Sequence, residues 1–151
     1  MSQGYAIERA NIMQPLYTTK ARAVGGRAGR VETSDGLLKV DLAYPKELGG
    51  NGGATNPEQL FAAGYAACFE NAMRRIAREQ KISIKGAAVT ATVQLFPKPD
   101  KTYQLGVALE AEVEGVDQKT AEFITEGAHR ICPYSNATRG NIEVGIIVRA
   151  K

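Results

Sequence analysis

Apolar and polar side chains alternate over residues 17–24, the pattern of a half-buried strand, and Gly25-Gly26 closes it with a turn. A second extended stretch runs over 30–33. Ser34-Asp35-Gly36 is a strong turn signal, and a third strand follows over 37–42, completing an N-terminal antiparallel meander. Residues 1–15 carry no clear period and are expected to form an extended arm of one domain spanning 1–151. The run Leu48-Gly49-Gly50-Asn51-Gly52-Gly53-Ala54 is too rich in glycine for regular structure and suits sharp turns or close backbone approach.

Thr55-Asn56-Pro57-Glu58-Gln59 then reads as a helix start. Asn56 caps, Pro57 fits the first helical position, and Glu58 or Gln59 can complete a capping box. The helix is expected over 57–79. Its first half is small and apolar, so it must be buried on most faces, whereas its second half, from Arg74, is charged. Alternation returns over 87–96 and 103–113 around the turn Pro97-Lys98-Pro99-Asp100, which predicts a hairpin. Asp117 opens a second helix that must stop near Ile131, because the residue before Pro133 is driven out of helical geometry. A last strand is expected over 142–150. Strands and helices in this order predict an α+β fold without the regular alternation of a doubly wound sheet.

A chain of 151 residues can bury a core without disulfides to hold it. It opens on no charged-then-apolar signal and has no apolar run near the ~20 residues that cross a bilayer, so a cytoplasmic protein without a membrane role is expected. A formal net charge of +3 comes from Lys and Arg scattered among 16 acidic residues, and no basic stripe argues for nucleic acid.

Candidate chemistry lies in the two cysteines. Cys68 sits in mid-helix within an apolar run, and Cys132 stands directly before a proline. A nucleophilic thiol needs a protected pocket, and a thiol that resolves its oxidised form benefits from a joint. Cys68 lies too far from the helix start for the macrodipole to favour a thiolate, and no cation neighbours it in sequence. Arg27, just past a Gly-Gly turn, is the candidate cation. Glu58, ten residues before Cys68, is about 15 Å away along a regular helix and cannot bond it, but it can fix the Arg27 guanidinium through a two-pronged pairing, or serve only as a capping glutamate. Lowering a thiol pKa from ~8.5 to ~6 raises the thiolate fraction at pH 7 roughly thirtyfold, but intrinsic nucleophilicity then falls about tenfold. A fast thiol reaction with a peroxide therefore needs donors that bind the departing oxygen. Two further readings stay open: two inert buried thiols, and a metal site in which His129 and Cys132, at i, i+3, join Cys68.

Several strings occur together: Gly25-Gly26-Arg27, Pro45-Lys46-Glu47-Leu48-Gly49-Gly50, Thr55 through Tyr65, Ala67-Cys68-Phe69, and Cys132-Pro133-Tyr134-Ser135-Asn136-Ala137-Thr138-Arg139-Gly140-Asn141. In them the chain resembles the organic hydroperoxide resistance proteins of the OsmC-like superfamily, over about residue 16 to the end. The resemblance implies an intertwined homodimer, with antiparallel sheets wrapped around long central helices and active sites at the interface. It implies that Cys68 is the peroxidatic cysteine, Cys132 the resolving cysteine, and Arg27 and Glu58 the activating pair, with no cofactor and no metal. It further implies reduction of organic and fatty-acid hydroperoxides through a Cys68 sulfenic acid and a Cys68–Cys132 disulfide, recycled by dithiols such as the dihydrolipoyl groups of a lipoylated protein. Phe61, Tyr65 and Phe69 are candidates for lining a substrate pocket, although aromatics at helical spacing also build cores. Ala28, where the family commonly has a polar residue, and the long arm depart from the pattern. The alternative is a non-catalytic carrier of a hydrophobic ligand or metal in the same pocket.

Overall fold

The computed structural model describes residues 14–151, so the expected arm, Gln14 and Pro15 apart, lies outside the described residues. Strand β1 (Ala21–Val24) pairs antiparallel with β2 (Arg30–Thr33), and β2 with β3 (Lys39–Asp41). β1 and β3 are shorter than the alternation predicts. At the β2–β3 turn the reason is local: Asp35 accepts from the Leu37 backbone N–H at 3.0 Å, and Thr33 Oγ1 accepts from that of Leu38 at 3.0 Å. Side chains thus take the donors a longer ladder would use.

Helix α1 (Pro57–Glu79) starts as expected. Asn56 Oδ1 accepts from the Gln59 N–H at 2.9 Å, and the Thr55 hydroxyl donates to Gln59 Oε1 at 2.7 Å. Gln59 completes the cap, which leaves the Glu58 carboxylate for another partner. Tyr65, Phe69, Ala72, Met73, Ile76 and Ala77 form the buried stripe. The expectation that the N-terminal half is buried on most faces fails within one chain. Ala63 and Ala67 stand exposed, because β4 and α2 cover only the opposite side.

Strands β4 (Gly86–Pro97) and β5 (Tyr103–Glu114) form the predicted hairpin, paired along their whole length. Helix α2 (Gln118–Ile131), capped by Asp117, ends at Cys132, as the following proline requires. A short helix that the sequence does not predict, α3 (Pro133–Thr138), follows at once. The proline that stops α2 occupies the first position of α3, where its missing N–H costs nothing. Strand β6 (Val144–Ala150) then lies parallel to β5. This corrects the expectation of purely antiparallel sheets: the return through α2 and α3 is the crossover that a parallel neighbour needs. The α+β class is as expected, with two three-stranded sheets, β1-β2-β3 and β4-β5-β6. The core lies between α1, α2 and the second sheet, where Val107, Leu109, Ala111 and Val113 of β5 point inward at every second residue.

Candidate active site

The fold brings Cys68 and Cys132 together. Both thiols are free; Cys132 is fully buried at the α2–α3 joint and Cys68 partly buried on α1. Burial pushes the Cys68 thiol above its ordinary value, and the adjacent Cys132 pushes it further, while the backbone N–H of Tyr134 pulls it down. Among the described residues no cation figures in the causes that set the Cys68 thiol.

Arg27 is held elsewhere. It lies in a tight turn (Gly26–Ala28) between Gly25, at φ 82°, and Gly29, whose absent Cβ would fall 1.8 Å from the Val24 carbonyl oxygen. Only glycine permits either position, and the pair aims Arg27 at the first turn of α1. There Nη1 donates to Glu58 Oε2 at 2.7 Å and Nη2 to Glu58 Oε1 at 2.5 Å, the two-pronged geometry. The guanidinium holds the Glu58 carboxyl below its ordinary value, and the carboxylate raises the pKa of Arg27 in return. A cleft of about 300 Å³ beside this pair is lined by Arg27, Tyr44, Leu48, Leu95 and Tyr103, a guanidinium set among apolar walls. A wider one, about 550 Å³, lies against β1 and β2 and borders neither cysteine.

Residues 50–147 match the model of the OsmC-like protein family. The chain belongs to this family. Within it, the chain is 47% identical over 141 residues to the organic hydroperoxide resistance protein OhrA of Bacillus subtilis, covering 89% of this chain and 97% of that one. Among solved structures, an organic hydroperoxide resistance protein from Legionella pneumophila superposes with a TM-score of 0.88 at 59% identity, over 89% of this chain and 98% of that one. Another, from Elizabethkingia anophelis, gives a TM-score of 0.88 at 45% identity, over 92% and 100%. These relatives place the chain in the organic hydroperoxide resistance branch and support a role in peroxide resistance.

Of the aromatic residues, this OsmC-like chain spends Tyr65 and Phe69 on its core: both are 0% exposed and offer no surface to a substrate, whereas Phe61 is partly exposed. Tyr134 stacks on Tyr65 with ring centroids 5.6 Å apart and meets Phe61 edge-on at 6.0 Å. It fits there because position 64 is glycine. Sequence reasoning assigned no role to Tyr134, Ser135 or Thr138, although all three lie in the quoted Cys132–Asn141 string. The Tyr65 hydroxyl stands 2.9 Å from Ser135 Oγ and 3.3 Å from Thr138 Oγ1, and His129 Nδ1 is 2.9 Å from the same Ser135 oxygen. Burial, and then the charge of Arg139, hold the His129 pKa below its ordinary value. The metal reading gains no support from this geometry: among the described residues no three His, Cys, Asp or Glu side chains converge on a common point. Among those residues, too, no helix is long and apolar enough to cross a membrane.

Proposed function

We propose that the chain is a thiol peroxidase that reduces organic hydroperoxides, fatty-acid hydroperoxides included, to alcohols. The observation that carries this reading is the meeting of two reduced thiols, distant in sequence, one fully buried and one partly exposed. The Cys68 thiolate attacks the distal peroxide oxygen. The O–O bond breaks, the leaving alkoxide takes a proton and departs as the alcohol, and Cys68 is left as a sulfenic acid. The Cys132 thiol then attacks that sulfur, water leaves, and a disulfide closes. A dithiol, such as a dihydrolipoyl group on a lipoylated protein, returns both thiols and is itself oxidised.

The activating pair comes from a second copy. Ten residues of α1 separate Glu58 from Cys68, about 15 Å, and the Arg27 guanidinium is tied to Glu58 at both nitrogens. The same chain's pair therefore does not reach its own thiol. The exposed small face at Ala63 and Ala67, between the two stations, lets a second α1 pack closely in the opposite direction. In such a homodimer each Arg27–Glu58 pair faces the other chain's Cys68. There the fixed guanidinium offsets the burial that raises the thiol and donates to the departing oxygen. The apolar walls around Arg27 favour an alkyl peroxide over hydrogen peroxide.

The test is the mass of the intact protein after one equivalent of an organic hydroperoxide, in wild type and Cys68→Ser. Disulfide formation removes about two mass units from the wild type and none from the variant. An unchanged wild-type mass would end the peroxidase reading in favour of a carrier.

A further inference from the structure

We propose that a hydrogen-bonded chain, from the buried hydroxyls of Tyr65 and Ser135 to the part-buried imidazole of His129, is a positioning device for the second thiol, setting how often Cys132 is presented to Cys68. Tyr65 precedes Cys68 by three residues on α1, and Ser135 follows Cys132 by three at the start of α3. Residues three apart on a helix share a face, and a residue at the N-cap lies beside the third residue of the helix. The 2.9 Å hydrogen bond between Tyr65 and Ser135 and the pair of sulfurs are therefore two neighbouring rungs between the same segments. Fixing one sets the register of the other.

The need for such a rung follows from the backbone. Cys132 joins the two helices: at φ −62° and ψ 123° its N–H still donates to the Ala128 carbonyl of α2 at 2.8 Å and its carbonyl accepts from the Asn136 N–H of α3 at 2.9 Å, so the placing of its sulfur depends on how the two helices sit relative to each other. Ser135 Oγ ties all three helices at a single atom, meeting Tyr65 of α1 and His129 of α2 from its place on α3. Arg139 closes the far end by donating to the His129 carbonyl oxygen at 2.5 Å and to Asn136 Oδ1 at 2.6 Å. With His129 Nδ1 as acceptor, three hydroxyl protons fill three of the four contacts, and the longer Tyr65–Thr138 approach at 3.3 Å carries none of its own. Ser135 donates to His129, Tyr65 donates to Ser135, and Thr138 donates to the Ser135 carbonyl oxygen at 3.1 Å. Ser135 and Tyr65 are both 0% exposed, so water cannot replace a lost partner without entering the core. A disulfide tolerates little error in the placing of its two residues, which makes closure sensitive to this register.

The test uses the full-length protein. Tyr65→Phe removes one oxygen and keeps the ring stack; Ser135→Ala is the second variant, should the first fold poorly. Ile124→Val, a buried change elsewhere in the core, controls for lost stability. Equilibration in mixtures of reduced and oxidised dithiothreitol measures the effective concentration of Cys132 at Cys68 without any peroxide. It is expected to fall roughly tenfold in either hydroxyl variant and to stay at the wild-type value in Ile124→Val. After one equivalent of organic hydroperoxide, the hydroxyl variants should also accumulate overoxidised Cys68 at the expense of disulfide. Hydroxyl variants that melt earlier yet keep the wild-type effective concentration would overturn the proposal, leaving the hydroxyls a structural role only. Only the peroxide measurement rests on the peroxidase reading. A wild type that forms no disulfide with peroxide would sink that reading, while the dithiothreitol equilibrium would still decide this one.

Discussion

Replacing Gly64 with alanine tests whether the Tyr134 ring is held against α1 at this position. A Cβ at this position would lie 2.5 Å from Tyr134 Oη, 3.0 Å from Cζ and 3.4 Å from Cε1. Carbon contacts settle near 3.5–4.0 Å, so the ring must retreat by about 1 Å. Retreat disturbs its packing, because the ring is stacked on Tyr65 and met edge-on by Phe61. Two effects oppose each other. Overpacking of this kind costs about 1–3 kcal/mol, and exchanging glycine for alanine inside a helix returns about 1 kcal/mol. The net expectation for Gly64→Ala is a loss of about 0–2 kcal/mol.

The sign becomes decisive in a second background. With Tyr134→Ala the clash is gone, and Gly64→Ala should then stabilise by the helical increment alone, about 1 kcal/mol. Urea unfolding of the four proteins at one fixed protomer concentration measures the coupling; the concentration matters because association of copies adds to apparent stability. A coupling of about 1–3 kcal/mol is expected. A Gly64→Ala that stabilises both backgrounds equally would refute the reasoning, since Tyr134 would then not be held above Gly64.

Two other outcomes follow from the Arg27–Glu58 pair. Because Arg27 lowers the Glu58 pKa in the folded state, the pair's stability is fully present above the unfolded value near 4.5 and is lost as pH falls through the folded value. Glu58→Gln should therefore cost about 1 kcal/mol at pH 7 and progressively less in acid, as read by unfolding midpoints at several pH values; a cost independent of pH would contradict the pairing. If the pair serves the other copy's thiol, Arg27→Ala and Cys68→Ser chains, each inactive alone, should regain about a quarter of the wild-type sites when unfolded and refolded together. No recovery from the mixture would place the site within one chain.

Most elements were legible because their signals are local. Asn56 and Pro57 mark the start of α1 whatever the rest of the chain does, and Pro133 stops α2 through a clash with its own neighbour. The shortfall of β1, and of β3 beyond its turn, is of a different kind. Alternation states only that a face can be buried, and within one chain Tyr17 and Leu37 remain 78% and 89% exposed because nothing is laid on them. The apolar first half of α1 misled in the same sense. Its composition records burial, and one chain supplies cover on one side only. Both departures leave small or apolar surface open, and it is this surface that the proposed homodimer would close.

The candidate site divides along the same line. Arg27 and Glu58 could be paired on paper because a carboxylate at a helix start suits a guanidinium as well as it suits a cap, and the structure gives the cap to Gln59. The hydroxyl rung could not. Tyr65 on a helical apolar face reads as core, and it is core; its oxygen gains a task only through Ser135, seventy positions away in sequence. Hydrogen bonds between distant segments leave no periodicity, and α3 is too short to show one. The division has a chemical consequence. Under the proposed mechanism Cys68 must become a thiolate, yet its own chain gives it burial and a second thiol that both disfavour ionisation, against the one backbone N–H of Tyr134 that favours it. The cation that favours the Cys68 thiolate would, under that mechanism, arrive with assembly of the homodimer.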